Sequence, residues 1–177
     1  MRGYFGIGVE GLSKPMNLGN LMRSAHAFGA RFFFTINTAI EPDAEAISDT
    51  ARSATHLPVY RFESAADLVL PEACKLVGVE ILDSAVELPS FPHPIAAAYV
   101  LGPERGRLSP ELIARCEHVV RIPSAFSVNV GVAGAIVMYD RMLALGRFAA
   151  RPVGSRAAAE PKPAHVYGAP RKRRRSE

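Results

Sequence analysis

The sequence predicts an α/β domain built on a mostly parallel sheet flanked by helices, and three observations carry that prediction. Short apolar runs bounded by Gly, Pro and Ser recur along the first 150 residues and alternate with segments of helical periodicity, the pattern of strand–helix–strand units. Two of these runs stand out, Arg31 to Ile36 as a strong strand of three phenylalanines and Val119 to Ile122 as a buried strand. The 177 residues are 49% hydrophobic, ample for one core, and show no internal repeat.

Taken in order, Tyr4 to Val9 is the first strand, followed by a loop from Gly11 to Met16. Residues 18–28 form a helix with Leu21, Ala25 and Phe28 on one face and Gly29 as its stop. The phenylalanine strand follows, then a weaker helix over 43–54 that ends before Pro58, then a short strand from Val59 to Phe62. Ser64 caps a helix reaching about Leu70. Leu76 to Ile81 is a strand, residues 83–95 a proline-containing loop, and Ala97 to Leu101 a further strand. Ser109-Pro110-Glu111-Leu112 starts a helix with a capping residue and a proline at its first position. The strand Val119 to Ile122 stops at Pro123, which cannot donate to a sheet ladder. Ser127 and Asn129 then sit where the last helix begins, about Asn129 to Ala149, with Val128, Val132, Ile136, Tyr139 and Leu143 as its apolar stripe. Gly131 and Gly134 each cost that helix roughly 1 kcal/mol against alanine, which implies close approach of another backbone or a ligand.

Charge divides the chain. Residues 151–177 hold eight Lys or Arg against Glu160 and Glu177, a net +6 that leaves −2 on residues 1–150 of the chain's +4. This Pro-, Ala- and Arg-rich stretch lacks the apolar content to fold, so 1–150 is read as the domain and 151–177 as a basic disordered tail. The run Arg171 to Arg175 suits sequence-independent contact with phosphate, a nuclear-localisation signal being the alternative. No apolar run is long enough to span a membrane, so no membrane association is expected. Cys74 and Cys116 show no pairing pattern and are expected as reduced core thiols in a cytosolic, cytoplasmic protein. His26, His56, His93, His118 and His165 share no ligand spacing, so no metal is expected. The serines have no nucleophile-elbow context, which argues against a serine hydrolase.

Three loops follow predicted strands on the side where open α/β sheets bind ligands. The first is Asn17-Leu-Gly-Asn-Leu-Met-Arg23, with amides at Asn17 and Asn20, backbone access at Gly19, and Arg23 one turn into the helix. The second is Leu101-Gly-Pro-Glu-Arg-Gly-Arg-Leu108, where Glu104 disfavours phosphate and the dinucleotide fingerprint is missing. Ile122 to Asn129 is the third.

Together these segments resemble, in order and spacing, the three signature motifs of the SPOUT methyltransferases, and most closely the SpoU-type (TrmH-like) RNA ribose 2′-O-methyltransferases. Asn17, Gly19, Asn20 and Arg23 match the first motif; Gly102, Glu104, Leu108 and Ser109 match the second. Ile122, Pro123, Ser127, Asn129, Val130 and Ala133 match the third, and the resemblance covers about residues 4–145. Two departures stand out. Arg107 occupies a position where the family usually has glycine, with Gly106 one place early, so the loop bends differently. Gly131 replaces a common serine, which loosens that turn.

The resemblance implies an α/β sheet with a C-terminal trefoil knot, S-adenosylmethionine as cofactor, and a homodimer that completes each site. By carry-over, Leu101, Gly102, Ile122, Ser127 and Val128 hold the cofactor, with Val79 and Glu80 lining its adenosine or methionine pocket. Arg23 is the catalytic arginine, supplied to the cofactor of the other subunit, while Asn17, Glu104 and Asn129 shape the loop network around the reaction. Arg23 acts either as a strongly perturbed base or as an electrostatic partner of the forming alkoxide. The implied activity is S-adenosylmethionine-dependent RNA methylation at a ribose 2′-OH, with tRNA the first candidate substrate and rRNA the second. The competing reading is a non-catalytic RNA-binding protein that retains the fold.

Overall fold

The computed structural model describes residues 3–38, 40, 56–103, 106–146 and 148. One unit, Met1–Arg147, carries the fold; the second, Phe148–Glu177, contains the basic segment and lies outside the described residues apart from Phe148. The helix expected over 43–54 also falls outside them. Seven strands, β1 (Tyr4–Glu10), β2 (Phe32–Ile36), β3 (Val59–Phe62), β4 (Lys75–Val79), β5 (Val86–Glu87), β6 (Ala96–Leu101) and β7 (His118–Arg121), form one sheet. Their order is β3-β2-β1-β6-β4-β7-β5. Every pairing is parallel. Among the described residues three α-helices join them: α1 (Pro15–Ala27), α2 (Pro110–Arg115) and α3 (Val130–Leu145). No helix among the described residues is long and apolar enough to cross a membrane.

Both faces of the sheet are covered, which is why its central strands are apolar throughout rather than alternating. Phe33, Val77, Ala97, Tyr99 and Leu101 pack with α1 and α3 on one face. Their neighbours Phe32, Phe34, Leu76, Ala98 and Val100 pack with Leu108 and Leu112 on the other. On β1 the first face is Phe5, Ile7 and Val9, while the second is only Gly6 and Gly8. Gly6 and Gly8 pair with Phe32 and Phe34, whose rings lie over them, and a Cβ at either glycine would overlap the adjacent ring.

Several elements depart from the expectation. The first helix begins at Pro15 instead of residue 18, because a proline at the first helical position needs no N–H partner and has its φ already set. The motif Asn17 to Arg23 is therefore helical throughout, and Arg23 stands about two turns in rather than one. Gly29, at φ +78, ends this helix as expected. No helix follows Ser64. Its hydroxyl bonds Asp67 at 2.6 Å in a turn, and the carbonyls of Ala65, Ala66 and Leu68 accept from the Arg115 guanidinium, with Ala65 also accepting from Leu68 N at 3.4 Å. The 83–95 loop contains β5, paired with β7, and a 3₁₀ turn at Leu88–Ser90. Ser109 does cap α2, accepting from Leu112 N at 3.1 Å.

The face of α3 is the largest correction. Its buried side is Val130, Ala133, Val137, Met138 and Arg141. Of the predicted stripe, Val132, Ile136 and Tyr139 are exposed, Val128 and Leu143 half-buried. α3 is apolar on most sides, so periodicity alone could not choose the side that meets the sheet. At Gly134 the close neighbour is a side chain rather than the backbone or ligand expected: it faces Leu21 of α1, and a Cβ there would overlap the leucine side chain.

A buried polar network fixes the C-terminal half of α3. Arg141, 4% exposed, donates to the carbonyls of Tyr4, Pro94 and Ile95 and to the Tyr99 hydroxyl. Having accepted from Arg141, Tyr99 Oη donates to His93 Nδ1 at 2.6 Å, and His93 Nε2 is left to donate to Asp140 at 2.8 Å. That arrangement is satisfied by a neutral imidazole. Burial, outweighing the favourable Asp140 neighbour, holds His93 below its ordinary pKa. Burial likewise pushes Tyr99 up to about 12.

Candidate active site

A parallel sheet whose strand order reverses leaves a crevice at the C-terminal ends of its strands. Here the ends of β4, β6 and β7 and the first turns of α1 and α3 enclose a cavity of about 320 Å³. β4 contributes Val79 with Glu80 and Ile81 just beyond it; β6 contributes Leu101, followed by Gly102 and Pro103. From β7 come Arg121 and Ile122, and from the entry to α3 come Ser127, Val128 and Asn129. All seven residues expected around the cofactor, Val79, Glu80, Leu101, Gly102, Ile122, Ser127 and Val128, line this one cavity.

Its walls are tied to one another by side chains. Asn129 caps α3 by accepting from Gly131 N at 2.8 Å and donates from Nδ2 to Asn17 Oδ1 at 3.0 Å. That bond joins the first and third motif segments, 112 residues apart. Of the two expected capping residues only Asn129 caps the helix; Ser127 is exposed and faces the cavity. The backbone N–H of Gly131 donates to that cap, and a Cβ there would stand 3.3 Å from Asn20 Cβ.

Glu80 accepts from Ile81 N at 2.8 Å and from Leu108 N at 2.9 Å, fastening the end of β4 to the second motif loop. Gly102 makes that closure possible, since a Cβ would come within 3.2 Å of Leu108 N. In the same loop Gly106, beside Arg107, takes a φ of +122, a conformation that favours glycine. Glu104, the expected acid of this loop, lies outside the described residues.

Arg23 is not on the cavity wall. It borders an open groove between α1 and α3 with Asn20, Ser24, Phe28, Val132 and Tyr139, and Asn129 borders both the groove and the cavity.

Three residues escaped the sequence reading. Glu10, 8% exposed, accepts from Ser109 N at 2.7 Å and Ser109 Oγ at 2.6 Å, linking β1 to the start of α2. An acidic residue closing an otherwise apolar strand was the available signal. Lys14 and Arg121 supply the cationic groups on the cavity wall. Arg121 pairs with Glu87 at 3.0 Å, and its Nε is buried with no hydrogen-bond partner among the described residues. The cysteines take no part: burial raises both thiols, Cys116 to about 11.

Fold and cavity define a class, an open parallel α/β domain with a cavity at the strand ends, built from three separated loop segments. Within that class the chain belongs to the SpoU rRNA Methylase family, whose pattern it matches over residues 5–139. It is 27% identical over 144 residues to a "Putative TrmH family tRNA/rRNA methyltransferase" of Staphylococcus haemolyticus, an alignment covering 75% of this chain and 55% of that protein. The chain thus spans about half the length of the curated relatives it matches. The fold is similar to an AdoMet-bound rRNA methyltransferase from Sinorhizobium meliloti, with TM-score 0.72, 22% identity, and coverage of 81% of this chain and 57% of that one. It is also similar to a structure described by "Structural insights into the 2-OH methylation of C/U34 on tRNA", with TM-score 0.68, 22% identity, and coverage of 81% and 91%.

Proposed function

We propose that this protein is an S-adenosylmethionine-dependent RNA methyltransferase acting on a ribose 2′-OH, as a cytoplasmic homodimer, with tRNA the first candidate substrate and rRNA the second. One observation carries the reading: three loop segments far apart in sequence close around one cavity, held together by the Asn17–Asn129 and Glu80–Leu108 bonds. The residues present fit the cofactor. Val79, Leu101, Ile122 and Val128 give apolar walls suited to an adenine, and Glu80, Ser127 and Asn17 give polar groups suited to hydroxyls and charge. A carboxylate has more acceptor capacity than the two backbone N–H groups on Glu80 consume, so it can take a ribose hydroxyl as well.

The cofactor supplies an activated methyl group on sulfur. The protein's part is to hold the acceptor oxygen in line with it and to exclude competing poses. Arg23, with its fixed cationic fork, serves as electrostatic partner of the oxygen as its proton leaves and of the adjacent phosphate. Asn17 and Asn129 set the spacing of the loops, and Glu104 belongs to the same network by its motif position. The position of Arg23 on the α1–α3 groove, outside its own chain's cavity, supports its delivery to the site of a second copy. Exposed Val132, Ile136 and Tyr139 on that groove support the dimer. The insertion of β7 between the consecutive strands β4 and β5 supports the trefoil knot. The reading of 151–177 as a separate RNA-gripping tail completes the proposal.

Calorimetric titration with S-adenosylmethionine, paired with sedimentation, tests it. Cofactor binding by a dimer is expected. A folded protein that binds RNA without the cofactor would establish the non-catalytic alternative instead, and an active monomer would remove the shared site.

A further inference from the structure

Phe126 is the most exposed large apolar side chain among the described residues, at 77%. Leaving such a ring in water forgoes roughly 1.5–3 kcal/mol of burial. The ring is held out by its own loop. Ser124 Oγ bonds the carbonyls of Ile122, at 3.3 Å, and Phe126, at 2.9 Å, closing a small turn with Phe126 at its outer end. Ile122 and Ser124 before it, and Ser127 and Val128 after it, line the cavity, whereas Phe126 does not. Phe126 is thus an exposed residue within a segment that otherwise borders the cavity. It is also separate from the apolar groove between α1 and α3, whose lining does not include it.

We infer that Phe126 is a stacking platform for an unpaired nucleobase of the RNA, at or next to the methylated nucleotide. The inference rests on the proposed ribose methylation. A 2′-oxygen brought to the cavity carries its base on the adjacent ring carbon, so that base must leave the mouth within one sugar's width. An aromatic ring is the side chain that holds any base by its face, and unstacked bases of single-stranded RNA are bound in this way. Lys14 and Arg121 on the same cavity give the neighbouring phosphates cationic partners. Stacking is sequence-tolerant, so Phe126 contributes affinity and placement, and discriminates single-stranded from paired target nucleotides.

The chain contains no tryptophan, so Phe126→Trp introduces a single fluorophore at this position. In full-length protein, unfractionated tRNA and ribosomal RNA are titrated in turn, each against a perfect RNA duplex as control. The expected result is saturable quenching by at least one of the structured RNAs and little by the duplex. Phe126→Ala should lower kcat/KM for methylation by about 5- to 150-fold with cofactor affinity unchanged, and Phe126→Trp should restore most of it. Three results overturn the inference. Quenching by S-adenosylmethionine alone would make the ring part of the cofactor pocket. An emission shift that follows protein concentration without RNA would place it against a second copy. A Phe126→Ala protein that binds and methylates RNA like the parent would leave the ring without a role. The parent protein separates this from the wider reading. If the parent neither binds the cofactor nor methylates RNA, that reading fails, while the fluorescence titration still decides whether RNA covers the ring.

Discussion

Asn129 is the residue whose loss should report most directly on how the site is assembled. It makes two separable bonds, the cap to Gly131 N at 2.8 Å and the link to Asn17 Oδ1 at 3.0 Å. Asn129→Ser keeps a good capping oxygen but is too short to reach Asn17. Its expected cost is that of one net hydrogen bond, about 1 kcal/mol. Asn129→Ala removes the cap as well, adding about 1 kcal/mol for a total of roughly 2. For a folded unit of about 150 residues this lowers Tm by about 2–4 °C for serine and 4–8 °C for alanine. The link also fixes the distance between two cavity walls, so S-adenosylmethionine affinity should fall about fivefold in both variants, the equivalent of 1 kcal/mol. Thermal denaturation followed by circular dichroism and cofactor calorimetry measure the two effects. If Asn129→Ser melts below the parent yet binds cofactor equally well, the link is structural only. If Asn129→Ala melts and binds like the parent, the reasoning about loop closure is wrong.

Other outcomes follow from the same structure. Arg23→Ala should reduce methyl transfer by 10²-fold or more while cofactor affinity stays within a few-fold, and Arg23→Lys should fare little better; single-turnover methylation assays would show otherwise if more than about a tenth of the activity survived. His93 is buried neutral with its pKa lowered, so its contribution to stability is complete above its ordinary value near 6.5 and declines as pH falls from there through the lowered value. Melting temperatures between pH 8 and pH 5 should therefore slope more steeply in the parent than in His93→Gln, and equal slopes would count against a neutral buried imidazole. Deleting residues 151–177 should flatten the dependence of log K on log salt for RNA by about 0.7–0.9 per lost phosphate contact, roughly 3.5–4.5 if all of Arg171 to Arg175 engage, with cofactor binding retained. An unchanged salt slope would move the RNA surface to the folded unit.

What the sequence disclosed depended on the kind of signal each element carries. Strands buried on both faces announce themselves as continuous apolar runs, and β1, β2 and β6 lie within a residue of their expected bounds, as does the edge strand β3, whose Tyr60 and Arg61 are exposed. Glycines that cost helix stability marked the α1–α3 contact through Gly134 and Leu21. The seven expected cofactor residues share one cavity because loops at strand ends converge whatever their separation along the chain. The failures are equally physical. Periodicity names an apolar face but not its partner, so a helix apolar on most sides gave Val132, Ile136 and Tyr139 to the core when they lie outside it. Ser64 has the look of a helix cap, but tertiary bonds from Arg115 take the carbonyls a helix would use. Buried Arg141 and Glu10 went unremarked in the sequence, since a local pattern cannot show that several distant groups are waiting to satisfy them.

Transfer of a methyl group to a ribose oxygen is tested most directly by its product. Full-length protein incubated with S-adenosylmethionine carrying an isotopically labelled methyl group and with unfractionated tRNA, or ribosomal RNA in parallel, should yield after complete nuclease digestion a labelled 2′-O-methylnucleoside. Its mass spectrum should place the label on the sugar fragment. Label on the base fragment, or no labelled nucleoside in either RNA from a protein that binds the cofactor, would contradict the claim.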